Sequence, residues 1–293
     1  MTASATAGTS FTLPLDAALS PDGKTAYFIA HDPATGDPAL FKADAPSTAA
    51  PTTLVAGDPL AAPFGLDVSS NGMSLVVTDT GVDDATTGDR GAIFNEPVGG
   101  GAPTIIAGTA GYQPKGIAVA VEAMVDQIYF TGKDKADGQP GVFKIPLAGG
   151  AVTVVAKGAP FVDPSGLAVG SGGVLYVADT SGSSETFAAV LKVSGSTVTS
   201  LLADLKLGYP AGLALSQDES TLLISALDKV TGTDAVIRYA VAGAGMPEYV
   251  VAGGIDQYSE SAGLKRARNV DTFIWADSAA NSGGTVYVIN KQP

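Results

Sequence analysis

Pro164-Ser165-Gly166-Leu167-Ala168-Val169, then Gly170-Ser171-Gly172-Gly173, then Val174-Leu175-Tyr176-Val177-Ala178-Asp179-Thr180, is the stretch that decides the fold. It reads as a short apolar strand, a glycine turn and a second strand rich in β-branched and aromatic residues. Ala188–Val193 and residues 197–203 read as third and fourth strands, with Ser194-Gly195-Ser196 as the turn between them. Residues 179–186 read as a polar loop between strands two and three. No helix-period pattern competes with this reading.

The phrase recurs along the chain. Its other starts are Pro14-Leu15-Asp16, Pro63-Phe64-Gly65-Leu66, Pro114-Lys115-Gly116-Ile117, Pro210-Ala211-Gly212-Leu213 and Ser261-Ala262-Gly263-Leu264. Successive starts lie 49, 51, 50, 46 and 51 residues apart. A fixed period of that size marks a repeat architecture. One four-stranded sheet buries too little apolar surface alone, whereas six arranged radially cover both faces of each. The expected fold is therefore all-β, a six-bladed β-propeller of four-stranded antiparallel blades forming one domain. The blades are expected at 14–62, 63–113, 114–163, 164–209, 210–260 and 261–293. The last unit lacks a fourth strand, and the alternating stretch 9–13 is expected to complete it and close the ring. The first strand of each unit, apolar and rich in small residues, is expected to line the axis.

Composition narrows function. The 293 residues carry a net charge of −13, with 16 basic residues scattered apart from Lys265, Arg266 and Arg268. Nucleic-acid affinity depends on basic side chains displacing counterions, so nucleic-acid partners are not expected. No apolar run approaches the roughly 20 residues of a membrane-spanning helix. The absence of cysteine excludes disulfides, thiolate metal sites and cysteine nucleophiles, and the single histidine excludes a multi-histidine metal site. Residues 1–10 have neither a charged start nor an apolar core, so they do not read as a signal peptide. Low charge and richness in Ala, Thr and Gly suit an exported protein, extracellular or periplasmic, and a monomer is expected.

The phrase Pro-x-Gly-(Leu/Ile)-Ala-Val, a turn, then Leu-Tyr-Val-Ala-Asp-Thr resembles the NHL-repeat and SMP-30/gluconolactonase-like group of six-bladed propellers. The resemblance covers nearly the whole chain. It implies the fold; it does not fix one activity, because the group includes hydrolases, lyases and binding modules. Its hydrolases hold a catalytic calcium at the channel mouth, with several ligands at the x position of the phrase. Here those positions are Leu15, Phe64, Lys115, Ser165, Ala211 and Ala262, with neither carboxylate nor amide among them. Calcium takes about six to eight oxygens. No metal and no cofactor are therefore expected, although Asp16, Asp67 and Asp79 keep a calcium site open.

The ends of the second strands carry His31, Asp79, Gly132, Asp179, Ala226 and Asp277. Two readings of the alternating aspartates stand. They form an inward anionic ring, or they cap the following turns by accepting backbone N–H bonds. The connections between blades supply Tyr112, Phe161, Tyr209 and Tyr258 on the same face, and a face of aromatics and carboxylates suits a small molecule, a glycan or a peptide. Phe64 and Lys115 stand out at the axial x position, Phe64 as a plug and Lys115 as a partner for the aspartates or an anionic ligand. His31 is the one neutral-pH general base, with no nucleophile assigned to it. The leading expectation is a non-enzymatic binding scaffold whose site comprises Asp79, Asp179, Asp277, His31, Tyr112, Tyr209, Tyr258, Lys115 and Phe64. The alternative is a calcium-dependent lactonase or esterase.

Overall fold

The computed structural model describes residues 2–6, 10–47, 49–83, 88–184, 187–242, 245–250 and 261–290. These form six four-stranded antiparallel sheets. Blade 1 is Thr12–Leu19, Thr25–His31, Pro38–Asp44 and Thr52–Ala56; blade 2 is Pro63–Val68, Ser74–Asp83, Arg90–Pro97 and Thr104–Ile105. Blade 3 is Ile117–Glu122, Val125–Lys133, Pro140–Pro146 and Thr153–Lys157; blade 4 is Pro164–Val169, Leu175–Ser184, Phe187–Ser194 and Thr197–Leu205. Blade 5 is Leu213–Leu215, Thr221–Leu227, Asp234–Ala240 and Glu248–Val250. Blade 6 is Ser261–Arg266, Thr272–Asp277 and Thr285–Asn290, completed by Thr2–Thr6. The first strands touch in an unbroken circle from blade 1 to blade 6 and back, which makes the molecule a propeller.

Two expectations are corrected. The strand that closes blade 6 is Thr2–Thr6, pairing with residues 286–290, and not 9–13. Phe11 is instead buried against Phe28 and Phe41, at ring separations of 4.8 and 6.0 Å, so this stretch belongs to the core between blades 6 and 1. The polar segment after Asp179 is not all loop, since the second strand runs on to Ser184, where it pairs with Phe187. The register shift between Asp179 and Ser184 absorbs the polar residues that looked like a loop.

Apolar clusters fill each space between adjacent blades, six in all. They explain the strand composition: alternate side chains point to opposite faces, and both faces of every blade are covered. The glycine of the repeated phrase has a steric cause. A Cβ on Gly65 would lie 2.5 Å from the Lys115 carbonyl, on Gly116 2.6 Å from the Ser165 carbonyl, and on Gly166 2.2 Å from the Ala211 carbonyl. Each of these three first strands thus presses its glycine against the backbone of the next blade. Hydroxyls lock some of these contacts. The Thr78 hydroxyl donates to the Lys115 carbonyl at 2.6 Å while accepting from Gly65 N–H at 2.7 Å, and Ser225 links Ala262 and Gly212 in the same way.

One core position runs against this apolar pattern. Glu96 is fully buried in blade 2, on the strand face of Phe94, which packs between blades 1 and 2. Neither of its carboxyl oxygens finds a hydrogen bond among the described residues. Burial pushes its pKa from 4.5 up to about 7. The folded value lies above the unfolded one, so folding favours the protonated acid. That advantage is complete below pH 4.5 and is lost as pH rises towards 7. Stability should therefore fall across this window by no more than about 3 kcal/mol. Glu96→Gln should flatten the fall in urea titrations at successive pH values; an equal slope in the variant would show that another group titrates.

Candidate functional site

The axis opens on two faces. One, the loop face, carries the connections between strands two and three and between blades. The other, the turn face, carries the tight turns between strands one and two. At the loop-face mouth, side chains from four consecutive units meet. Phe64 of blade 2 stacks edge-on against Tyr209, centroids 4.8 Å apart. Lys115 of blade 3 holds its ammonium 5.2 Å from the centre of the same Tyr209 ring. Its Nζ also forms an ion pair with Asp163, which lies on the connection into blade 4. Asp163 is held in turn by the Thr180 hydroxyl, which donates to it at 2.9 Å. Burial pulls the Lys115 ammonium down, but Asp163 and Tyr209 outweigh this and leave its pKa above the usual lysine value. Lys115 is therefore a firmly charged group. Tyr209 is 52% exposed, whereas Phe64 is only 8% exposed. The mouth thus presents a phenol face, a lysine and a carboxylate above an aromatic plug.

The expected site residues divide sharply. Phe64, Lys115 and Tyr209 come together. Asp79, Asp179 and Asp277 are fully buried and do not form an open anionic ring. Asp79 accepts N–H bonds from Ala61, Ala62, Gly81 and Val82 at 2.8–3.2 Å. Asp179 accepts from Val162, Asp163 and Ser181, and Asp277 from Ala279 and Ala280. They act as turn caps that tie each second strand to nearby backbone, so they are unavailable to a ligand. The lysine partner is accordingly Asp163 and none of these three. Tyr112 is also removed from the face, since its ring packs edge-on against Phe130 and Phe143 in the core between blades 2 and 3. His31 sits at a strand end opposite Thr12 and Pro38, with no side-chain hydrogen bond among the described residues. Tyr258 lies outside the described residues.

Asp163 is the residue the sequence reading missed. Its signal was its place directly before Pro164, one blade on from Lys115.

The carboxylates nearest the axis do not fit a calcium ion. Asp16 accepts from Ala17 N–H, from Leu66 N–H at 2.9 Å and from Lys265 Nζ at 2.7 Å. Asp67 accepts from Val68 N–H at 2.7 Å and Val119 N–H at 2.6 Å. Each is committed to joining neighbouring inner strands. Among the described residues, no group of three or more histidine, aspartate or glutamate side chains converges as a metal site would require.

Below the mouth the axis narrows to a throat of about 10 Å³, lined by the phrase glycines and by Asp16 and Lys265. That is about the space of one water probe. Burial pushes the Asp16 carboxyl above its usual range, against the pull of Lys265 and the two amides. Beyond the throat the axis widens into a turn-face cavity of about 290 Å³.

An NHL repeat matches residues 161–185, the fourth unit from its blade connection through the second strand. It is a six-bladed propeller whose fourth unit matches an NHL repeat. No curated protein is similar to it in sequence. The propeller shares its fold with a gluconolactonase from Xanthomonas campestris, at 17% identity and TM-score 0.61 over 95% of this chain and 86% of that one. A chain of a nidogen/laminin complex matches at 16% identity and TM-score 0.59 over 81% and 79% of the two chains. TolB from Acinetobacter baumannii matches at 14% identity and TM-score 0.57 over 79% of this chain and 53% of that one, so the propeller spans about half of TolB. These likenesses extend to the fold alone. Among the described residues, no helix is long and apolar enough to cross a membrane.

Proposed function

We propose that this propeller is a binding scaffold whose ligand, a small molecule, a glycan or a peptide, seats at the loop-face mouth of the axis. The observation that carries this reading is the convergence of Phe64, Lys115, Asp163 and Tyr209 from four consecutive units. A half-exposed tyrosine on an aromatic support offers a flat apolar contact with a polar tip. The adjacent ion pair offers both a donor and an acceptor. Sites of this kind combine an apolar platform with a few placed polar groups on loops of a rigid scaffold.

The reading includes no metal and no catalytic step. The axial carboxylates already accept backbone and lysine hydrogen bonds, which leaves a calcium-dependent lactonase without its ligand set. We also place the protein outside the cytoplasm, extracellular or periplasmic, on its low content of charged residues and its richness in Ala, Thr and Gly, and as a monomer. Fractionation of producing cells and sedimentation would check both, and a cytoplasmic dimer would refute them.

Glycan and peptide arrays probed with the wild type and with Tyr209→Ala test the main reading. Tyr209 is half exposed, so its loss should leave folding nearly unchanged. Ligands found by the wild type should bind the variant at least about tenfold more weakly, as truncation of an aromatic anchor does. Ligands retained equally by Tyr209→Ala and Lys115→Ala would remove this mouth as the site. Calcium-dependent hydrolysis of a lactone by the wild type would replace the scaffold with the enzyme.

A further inference from the structure

The turn-face cavity lies at the opposite end of the axis from the loop-face mouth. Its lining is mixed, and positions such as Ala118, Ala168, Val169 and Leu215 give it apolar stretches of wall between the polar groups. Its rim is charged in an uneven way. Two carboxylates line it, but both are already bonded: Asp67 to two backbone N–H groups, and Glu219 to the Ser171 N–H and hydroxyl at 2.7 and 2.8 Å. Lys265 at the floor is paired with Asp16.

The two arginines are different. Neither forms an ion pair with a carboxylate among the described residues. Arg266 is anchored by carbonyls, its Nε on Leu215 and its Nη1 on Ala267, Arg268 and Val270. Arg268 reaches across the axis and donates one bond, from Nη2 to the Val119 carbonyl at 3.0 Å. A guanidinium carries five N–H donors. The Arg268 Nε is buried and finds no acceptor. Such a donor costs free energy unless something fills its place. In a chain of net charge −13, an arginine held in place with unused donors beside a cavity that has apolar stretches of wall is a specific feature.

We propose that this cavity binds a small aliphatic monocarboxylate, its carboxylate on Arg268 and its hydrocarbon body against the alanine and valine walls. A carboxylate matches the guanidinium fork with two parallel hydrogen bonds. The volume, at the low end of ligand pockets, suits a molecule of metabolite size. Asp67 and Glu219 disfavour a doubly charged anion such as phosphate.

Isothermal titration and saturation-transfer NMR with hexanoate test this, with hexanol and inorganic phosphate as comparators. The variants are Arg268→Gln, which removes the charge, and Ala118→Leu, which adds bulk at a partly exposed position of the cavity wall; thermal unfolding establishes that each is folded. Hexanoate should bind the wild type at millimolar concentration or better, and at least about tenfold more weakly to both variants, the loss expected when a charge-assisted bond goes. Lys115→Ala and Tyr209→Ala should bind hexanoate like the wild type, which separates this site from the loop-face mouth. Three results would each overturn the proposal: no hexanoate binding, hexanol binding as tight as hexanoate, or phosphate competing with hexanoate on equal terms. If Arg268→Gln fails to fold, Ala118→Leu and the two comparators still decide it.

Discussion

Lys265→Met is expected to lower the unfolding free energy by about 3–5 kcal/mol, the range for breaking a buried ion pair from one side. Lys265 and Asp16 are only 14% and 4% exposed in their side chains, and 2.7 Å separates Nζ from Oδ2. They belong to blades 6 and 1, the first and last units in sequence, and so bridge the seam of the ring. Removing the lysine leaves a carboxylate in the throat with only the Ala17 and Leu66 amides for support. Its pKa, already raised by burial, would rise further without the ammonium. A carboxyl with a raised folded pKa stabilises at low pH and loses that contribution as pH increases. The deficit of Lys265→Met should therefore shrink as pH is lowered. The double variant Asp16→Leu/Lys265→Met should recover most of the loss, because well-packed apolar residues often replace a buried pair at little cost. Urea unfolding of the variants measures all three effects. A single variant as stable as the wild type would mean that the pair does not hold the seam.

Gly166→Ala is expected to cost about 3 kcal/mol, at the upper end for overpacking a tight interior. The added methyl would sit 2.2 Å from the Ala211 carbonyl and 3.1 Å from the Ala178 Cβ. The first of these is backbone of the next blade, which cannot swing aside as a side chain would. The backbone at Gly166 is not left-handed, so the loss would be steric. Gly195→Ala supplies the contrast: its φ is +58° and a Cβ there meets nothing within 4 Å. That change should cost only the local strain of a left-handed residue, roughly 1–2 kcal/mol. Equal losses at the two positions, measured by thermal unfolding, would refute the interblade account of the repeated glycine.

The architecture was legible because the periodic signal is redundant. Each blade restates the same strand pattern, and the short apolar inner strands could face only the axis. Alternation alone could not choose the closing strand. Both 2–6 and 9–13 can be extended, and it is the aromatic ring of Phe11 that claims core volume beside Phe28 and Phe41. The site was less legible. Asp79 and Tyr209 look alike in the sequence as polar-tipped residues near strand ends. One turns inward to cap backbone amides and the other outward over Phe64, and that choice depends on neighbours about one blade away. A signal for the seam was present in the phrases themselves. Asp16 stands where the other units have glycine, and Lys265 stands where four of the others have alanine. Opposite charges in the first and last members of a closed repeat are spatial neighbours, although 249 positions separate them along the chain.

With a throat of about 10 Å³, the space of one water, the axis offers no passage to a solute of ligand size. Its axis is two blind cups set back to back. A solute of that size must leave each cup by the opening through which it entered, and guests at the two proposed sites would not compete sterically. The partition between the cups contains the Asp16–Lys265 pair, and Lys265 also forms part of the turn-face floor. A guest resting there would lean on the joint that keeps the circle shut, so filling that cup should tighten the whole ring against opening.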